Sequence, residues 1–310
     1  MAEHRADILV IGAGIAGMTA AIYAARAGKS VAVLECEGFG GQIASSPQVE
    51  NYPGIASISG ADLSDALYRQ ASDLGVEFHF ARASGVQPQP DGSFVVPGDA
   101  GNFACRSVIL AAGAHHRGLD LPREQQLTGR GIGYCAVCDG AFYRGKTTAV
   151  VGGGSAALQS AEYLAGICEK VILIHRRDTF RGEAALVARV TALPNVELML
   201  NSVVTEYLGD PKLTGLAVEN KNTGARIEVA VDGVFLAVGQ VPGNGPFAPP
   251  LQLDEAGYIQ AGEDCKTNVP GLFAAGDCRA KTVRQLTTAA ADGTVAAVAA
   301  CAWADAHPAN

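Results

Sequence analysis

Asp7-Ile-Leu-Val-Ile-Gly12-Ala-Gly14-Ile-Ala-Gly17 is the stretch that decides the fold. After Asp7, residues 8–11 are apolar without interruption and mostly β-branched, so 7–11 reads as a strand buried on both faces. The glycines follow at once, and Met18, Ala21, Ile22 and Ala25 then recur at helical spacing. A second strand, residues 30–34, ends in Glu35. Strand, Gly-rich turn, helix and strand with an acid roughly 20 residues on make up a dinucleotide-binding unit. Gly12, Gly14 and Gly17 would form the turn at the helix start, and Glu35 would accept the ribose hydroxyls.

The same string recurs. Residues 147–151 read as a strand, Gly152-Gly-Gly154-Ser155-Ala-Ala157 as the turn, and residues 170–174 as the next strand, ending in His175. Gly12 and Gly152, Gly14 and Gly154, Gly17 and Ala157, Glu35 and His175 are all separated by one constant offset. One such fingerprint is weak evidence; two with matching context are strong. Each copy continues into an expected β-meander, turning at Asp91-Gly92 and at Asn222-Thr223-Gly224, and closes on a buried strand ending at Gly113 or Gly239. One more strand, near residues 271–277, and a helix from about Gln285 remain, and they need the first copy's sheet for a partner. The expectation is an α/β protein with two Rossmann-like dinucleotide-binding domains, the second inserted in the first: residues 1–114 and 244–310 for one, 115–243 for the other. Gly113, Gly243 and Gly245 are the expected flexible points of the crossings.

At the second ribose position an acid is missing. His175-Arg176-Arg177, with Arg181 four residues on, would suit a 2′-phosphate, so this site is read as taking NADPH, with Gly152, Gly154, Ser155 and Ala157 around the pyrophosphate. The alternative is a solvated basic surface.

Of eight cysteines, Cys36, Cys105, Cys168, Cys265, Cys278 and Cys301 are scattered singly and read as small buried residues. Cys135 and Cys138 stand two residues apart, a spacing for redox chemistry or metal binding. Zinc needs four ligands, and no second Cys or His pair stands at usable spacing, so no metal site is expected. His115 and His116 read as loop histidines. Two dinucleotide sites and one cysteine pair imply a relay from nicotinamide to flavin to disulfide. Net charge is -8 with no Lys/Arg cluster for a phosphate backbone, which argues against nucleic acid. The apolar run 8–25 carries the fingerprint, so no membrane association is expected. The cysteine usage suits a cytoplasmic protein.

Nearly the whole chain resembles the bacterial low-molecular-weight thioredoxin reductases, class II pyridine nucleotide-disulfide oxidoreductases. The resemblance rests on Gly12 to Gly17, Gly40-Gly41-Gln42, Val49-Glu-Asn51-Tyr-Pro53-Gly54, Cys135-Ala-Val-Cys138-Asp139, His175-Arg-Arg177 with Arg181, Gly276-Asp277 and Arg284-Gln285. It implies FAD contacts from Gly41, Gln42, Asn51, the backbone near Val86, Gly113 and Asp277, and flavin contacts from the amides of Gln285 and Leu286. It also implies that Cys138 exchanges electrons with the flavin, that Cys135 attacks the protein disulfide, and that Asp139 moves the proton, work that a raised carboxyl pKa would suit. The partner would be thioredoxin or a thioredoxin-like protein, and the assembly a homodimer. The sequence departs from the family at Gln159-Ser160, where two glutamates are usual, and at Pro242-Gly243-Asn244, where Pro-Asn-Thr is usual. A sibling dithiol oxidase, a ferredoxin-dependent reductase (against which the arginines argue) and a non-catalytic flavin redox sensor are the alternatives.

Overall fold

The computed structural model describes residues 3–46 and 48–308. The chain folds as two units, Met1–His115 with Val241–Asn310, and His116–Gln240.

In the first unit β1 (Glu3–Ile11), α1 (Ile15–Arg26), β2 (Val31–Glu35), α2 (Gly60–Asp73) and β3 (Glu77–Phe80) wind a parallel sheet in the order β3-β2-β1. Strands β4 (Gln87–Pro88), β5 (Phe94–Gly98) and β6 (Gly101–Leu110) extend it antiparallel, except that β6 runs parallel to β1. Alternation explains the unbroken apolar strands. Ile8, Val10, Val31 and Val33 pack with Met18, Ala21 and Ile22 of α1, whereas Leu9, Ile11, Ala32 and Leu34 pack with Phe94, Val96 and Phe103. Both faces are covered, so neither tolerates a polar residue.

The chain leaves through β7 (Ala114–His116). The second unit contains α3 (Glu124–Leu127), β8 (Ile132–Gly133), α4 (Ala136–Asp139), β9 (Thr147–Val151), α5 (Ser155–Ala165), β10 (Lys170–Ile174), α6 (Ala184–Thr191) and β11 (Val196–Met199). Then come β12 (Ser202–Leu208), β13 (Gly215–Asn220), β14 (Arg226–Ala230) and β15 (Gly233–Leu236). Its main sheet runs β11-β10-β9-β15-β8. Here the two copies differ. The first meander continues the main sheet, but β12-β13-β14 form a sheet of their own. All four residues of β15 pair with β9, and β8 takes the other edge at Val234 and Phe235, the place that β14 would need. The separate sheet packs by Val204, Tyr207, Leu216 and Val218 onto Ile172, Ile174 and Leu236.

The return strand β16 (Gln240–Pro242) pairs with β7. Gly243 donates its N–H to Gly113 O at 3.3 Å, and buried Asn244 donates from Nδ2 to Gly257 O and Cys278 O. Gly243 and Asn244 thus make these hydrogen bonds within the first unit. Among the crossing residues, Gly113 and Gly239 have positive φ, 63° and 122°. The tail supplies β17 (Leu272–Ala274), parallel to β6, and α7 (Leu286–Ala306). By length and composition α7 could cross a membrane. Its small residues instead lie against α1: a Cβ at Gly293 would stand 2.2 Å from Ala16 O.

Candidate active site

The first fingerprint turn is built from close approaches. A Cβ at Gly12 would fall 2.3 Å from Ala111 O, and one at Gly17 would fall 1.9 Å from Gly12 O. Both positions are glycine because backbone occupies the space. Gly14 is different: its Cβ direction meets only Gly40 O, at 4.0 Å. Gly40 donates its N–H to Ala13 O at 2.9 Å, and a Cβ on Gly41, whose φ is 59°, would stand 3.3 Å from Gly14 Cα. Helix α1 starts at Gly14 without a side-chain cap, so its N-terminal dipole faces this open ground. Glu35 is buried; Oε2 accepts from Ala13 N–H and Oε1 from Cys36 and Glu37 N–H, all at 2.8 Å.

The other residues that the resemblance implied are spread over the same unit. Gln42 donates from Nε2 to Ala114 O. Asn51 Nδ2 reaches Gln285 Oε1 at 3.5 Å. Val86 is buried with Ala83 and Phe94, and Gly113 has open space where a Cβ would be. Asp277 Oδ1 is buried without a hydrogen-bond partner, and burial raises its pKa. Gln285 caps α7 in a reciprocal box with Thr288 and gives its own N–H to Thr288 Oγ1 at 3.2 Å. Of the two amides expected to meet a flavin, that of Gln285 is therefore engaged within the cap. An orphaned carboxylate oxygen, a bare helix start and a glycine cradle together fit a dinucleotide.

The sequence reading missed the support beneath Asp277. Asp292 accepts from Gly276 N–H (3.0 Å), Arg279 Nε and Nη2 (2.9 and 2.8 Å) and Lys281 Nζ (2.8 Å), all in the interior. The signal was Asp292, the one acid in the mostly small and otherwise uncharged run 286–304 of α7.

In the second unit a Cβ at Gly152 would lie 2.4 Å from Ala237 O, and Gly154 has nothing within 4 Å. Helix α5 opens at Ser155 with no side-chain cap, and Ala157 is buried beneath it. Arg176, Arg177 and Arg181 are exposed after β10, whereas His175 is buried. Arg181 donates its N–H to Gly153 O at 2.8 Å, so the basic loop is tied to the fingerprint turn. Ser160 turns its hydroxyl back to Ala156 O.

Cys135 and Cys138 form a disulfide. Cys135 caps the one-turn helix α4, and its Sγ accepts from Cys138 N–H at 3.2 Å, a contact that favours a thiolate there. Ala136 packs with Ala157, Leu158 and Ala161 of α5, and a Cβ at Gly140 would stand 2.9 Å from the Tyr163 ring. The redox helix therefore rests on the fingerprint helix. Val137 between the cysteines is 54% exposed, Cys138 is exposed and Cys135 half-buried. Asp139 follows directly, and burial pushes its carboxyl up to about 6. Beside it, burial and the Asp139 charge push the Tyr143 hydroxyl up to about 12. His116 stacks on Tyr134, the residue before Cys135, with ring centroids 4.9 Å apart, and Gln240 Nε2 approaches the same ring.

Of the remaining cysteines, Cys105, Cys168, Cys265 and Cys278 are buried; burial pushes the Cys105 and Cys278 thiols up to about 12 and that of Cys265 to about 11. Cys36 and Cys301 are partly exposed, contrary to expectation. Among the described residues, no group of three or more His, Cys, Asp or Glu is placed to hold a metal ion.

The profile of the family described as pyridine nucleotide-disulphide oxidoreductase matches residues 6–293. A thioredoxin reductase of Listeria monocytogenes serovar 1/2a is 42% identical over 295 residues, covering 95% of this chain and 92% of the relative. One from Bacillus subtilis (strain 168) is 40% identical over 299 residues, covering 96% and 94%. The crystal structure of thioredoxin reductase from Streptococcus pyogenes MGAS5005 superposes with a TM-score of 0.93 at 38% identity, over 98% of this chain and all of that one. With the exposed disulfide, its flanking acid and two fingerprint turns, these similarities establish that the chain belongs to the pyridine nucleotide-disulphide oxidoreductase family, in its thioredoxin reductase group.

Proposed function

We propose that the flavin is FAD, held by the first unit, that the pyridine nucleotide is NADPH, held by the second, and that the electrons go to thioredoxin through Cys135 and Cys138. The observation that carries this is the exposed disulfide with its desolvated neighbour Asp139, on the unit that also bears a fingerprint flanked by Arg176, Arg177 and Arg181. Bound FAD would supply a two-electron relay between nicotinamide and disulfide. Gly12, Gly14, Gly17 and Gly41 would admit its pyrophosphate, Glu35 and the backbone near Val86 its adenosine, and Asp277 its ribityl chain. Gln42, Asn51, Gly113 and the start of α7 at Gln285 and Leu286 would flank the ring. Gly152, Gly154, Ser155 and Ala157 would admit the NADPH pyrophosphate, with His175 and the three arginines at its adenosine end.

Once the disulfide is reduced, the Cys135 thiolate attacks the thioredoxin disulfide. One thioredoxin thiolate leaves, and a mixed disulfide forms. Asp139, with its pKa near neutral, gives the leaving thiolate a proton. Cys138 then attacks Cys135 Sγ, which restores the disulfide and releases the second thioredoxin thiol. Exposed Val295 and Val298 on α7 and Tyr23 on α1 support a homodimer, and the thiol chemistry suits the cytoplasm. Anaerobic titration of the purified protein with NADPH, followed by thioredoxin, tests the reading. The flavin band should bleach fully only with two equivalents, one for the disulfide and one for the flavin, and return on addition of oxidised thioredoxin. Oxygen consumption with small dithiols alone would favour the oxidase sibling.

Two further outcomes are expected. Replacing Asp277 by Ala should weaken FAD by about tenfold or more, because a charge-assisted contact is lost. The flavin-free protein should lose little stability, since Oδ1 accepts no hydrogen bond within the protein. Fluorescence of released flavin and thermal melting read the two effects. Replacing Asp139 by Asn should slow thioredoxin reduction by about a hundredfold. The folded-state pKa of Asp139 is raised, so its ionisation opposes folding; the cost is absent below about pH 4, grows between pH 4 and 6, and is complete above that. The Asn variant should therefore be more stable at pH 8, by at most about 3 kcal/mol, and equal to the parent near pH 3.5. Parallel melting curves at the two pH values would refute this.

A further inference from the structure

His175 ends β10 where Glu35 ends β2, yet the two do different work on their fingerprint turns. In the first copy the middle residue of the turn, Ala13, gives its N–H to the Glu35 carboxylate at 2.8 Å. In the second copy the middle residue is Gly153, and the His175 ring fills the space beneath it. A Cβ at Gly153 would lie 2.0, 2.2 and 2.4 Å from three ring atoms. The ring is only 3% exposed and stacks on Phe180 at 5.3 Å and 17°. Nε2 stands 3.0 Å from Thr179 O. A carbonyl can only accept, so Nε2 carries the proton. Burial first, and then Arg181, Arg176 and Arg177, lower the pKa of the ring, consistent with a neutral imidazole.

The ring is fixed from below. His175 N–H donates to Met199 O and Ser202 N–H donates to His175 O, both at 2.9 Å. Above it, Arg181 N–H closes the loop onto Gly153 O, and Asn201 N–H holds Arg177 O at 3.0 Å. Loop 176–181 therefore folds around one side chain.

We propose that His175 is a positioning residue for recognition of the nucleotide 2′-phosphate. Wedged between Gly153 and Phe180 and bonded to Thr179 O, it sets the stance of Arg176, Arg177 and Arg181 beside the fingerprint turn without itself reaching the phosphate. This rests on the NADPH reading. Guanidinium forks bind phosphate strongly only when their geometry is preset, so loosening the loop should cost the phosphate contact and spare the rest of the nucleotide.

Calorimetric titration of the flavin-loaded protein with adenosine 2′,5′-bisphosphate and with 5′-AMP tests it. The unaltered protein should prefer the bisphosphate; no preference would defeat the NADPH reading itself. In His175→Ala the bisphosphate should weaken about tenfold and AMP by less than about twofold. An undiminished preference, or equal weakening of both ligands, would overturn the positioning role. Should His175→Ala fail to fold, His175→Phe keeps the ring volume and the stack but lacks the N–H. It should show a smaller loss with the same selectivity, about threefold, and no selective loss would overturn the proposal.

Discussion

Thioredoxin reduction falls by on the order of a thousandfold or more when Cys138 is replaced by serine, while the flavin stays bound and NADPH still bleaches it. In the proposed assignment the sulfur belongs to neither nucleotide site. The fingerprint turns are closed by Ala111 and Ala237 carbonyls, and the orphaned carboxylate is that of Asp277. A hydroxyl in place of Sγ cannot form the disulfide, so Cys135 is left without a partner to resolve the mixed disulfide. A thiol assay of the thioredoxin product reads turnover; absorbance reads the flavin. In a single turnover the variant should trap thioredoxin covalently on Cys135, visible as a shifted band that a reductant removes. Retained turnover would sink the dithiol relay. Trapping on no cysteine at all would reverse the assigned order of attack.

Replacing Arg176, Arg177 and Arg181 together by alanine should raise the KM for NADPH by about a hundredfold or more and that for NADH by only a fewfold. Each lost charge-assisted phosphate contact costs roughly 1.5–3 kcal/mol, and neighbouring losses do not simply add. All three side chains are exposed, and none is in an ion pair among the described residues. Their removal should therefore leave folding untouched. If, as proposed, solvent-exposed cations meet a 2′-phosphate, a preference for NADPH should shrink as salt rises. Equal weakening of the two nucleotides would reduce the basic loop to a surface patch.

Local rules were enough for much of this protein. Unbroken apolar strands followed by Gly12-Ala-Gly14 and Gly152-Gly-Gly154 specify two parallel-sheet units, because only strands covered on both faces lack polar residues and only glycine fits where backbone meets backbone. Cys135 and Cys138 with Asp139 were legible as redox chemistry because spacing alone allows a small disulfide ring, and the raised pKa of Asp139 followed the expected direction. What the sequence could not decide depends on residues far apart in the chain. Whether a meander joins its main sheet turned on β8 occupying the second edge of β15. The hold of the Gly257 and Cys278 carbonyls on Asn244, beside Gly243, is likewise set by residues far away in the chain. Asp292 draws its partners Arg279 and Lys281 from the other side of the α7 start, and nothing in the local pattern announces them. His175 was read with the three arginines as part of the nucleotide site; that its ring is buried beneath Gly153 came only from the tertiary structure. Sequence determines which backbone shapes and reactive groups are present. Packing decides which of them are desolvated, and desolvation sets charge, hydrogen-bond partners and hence role.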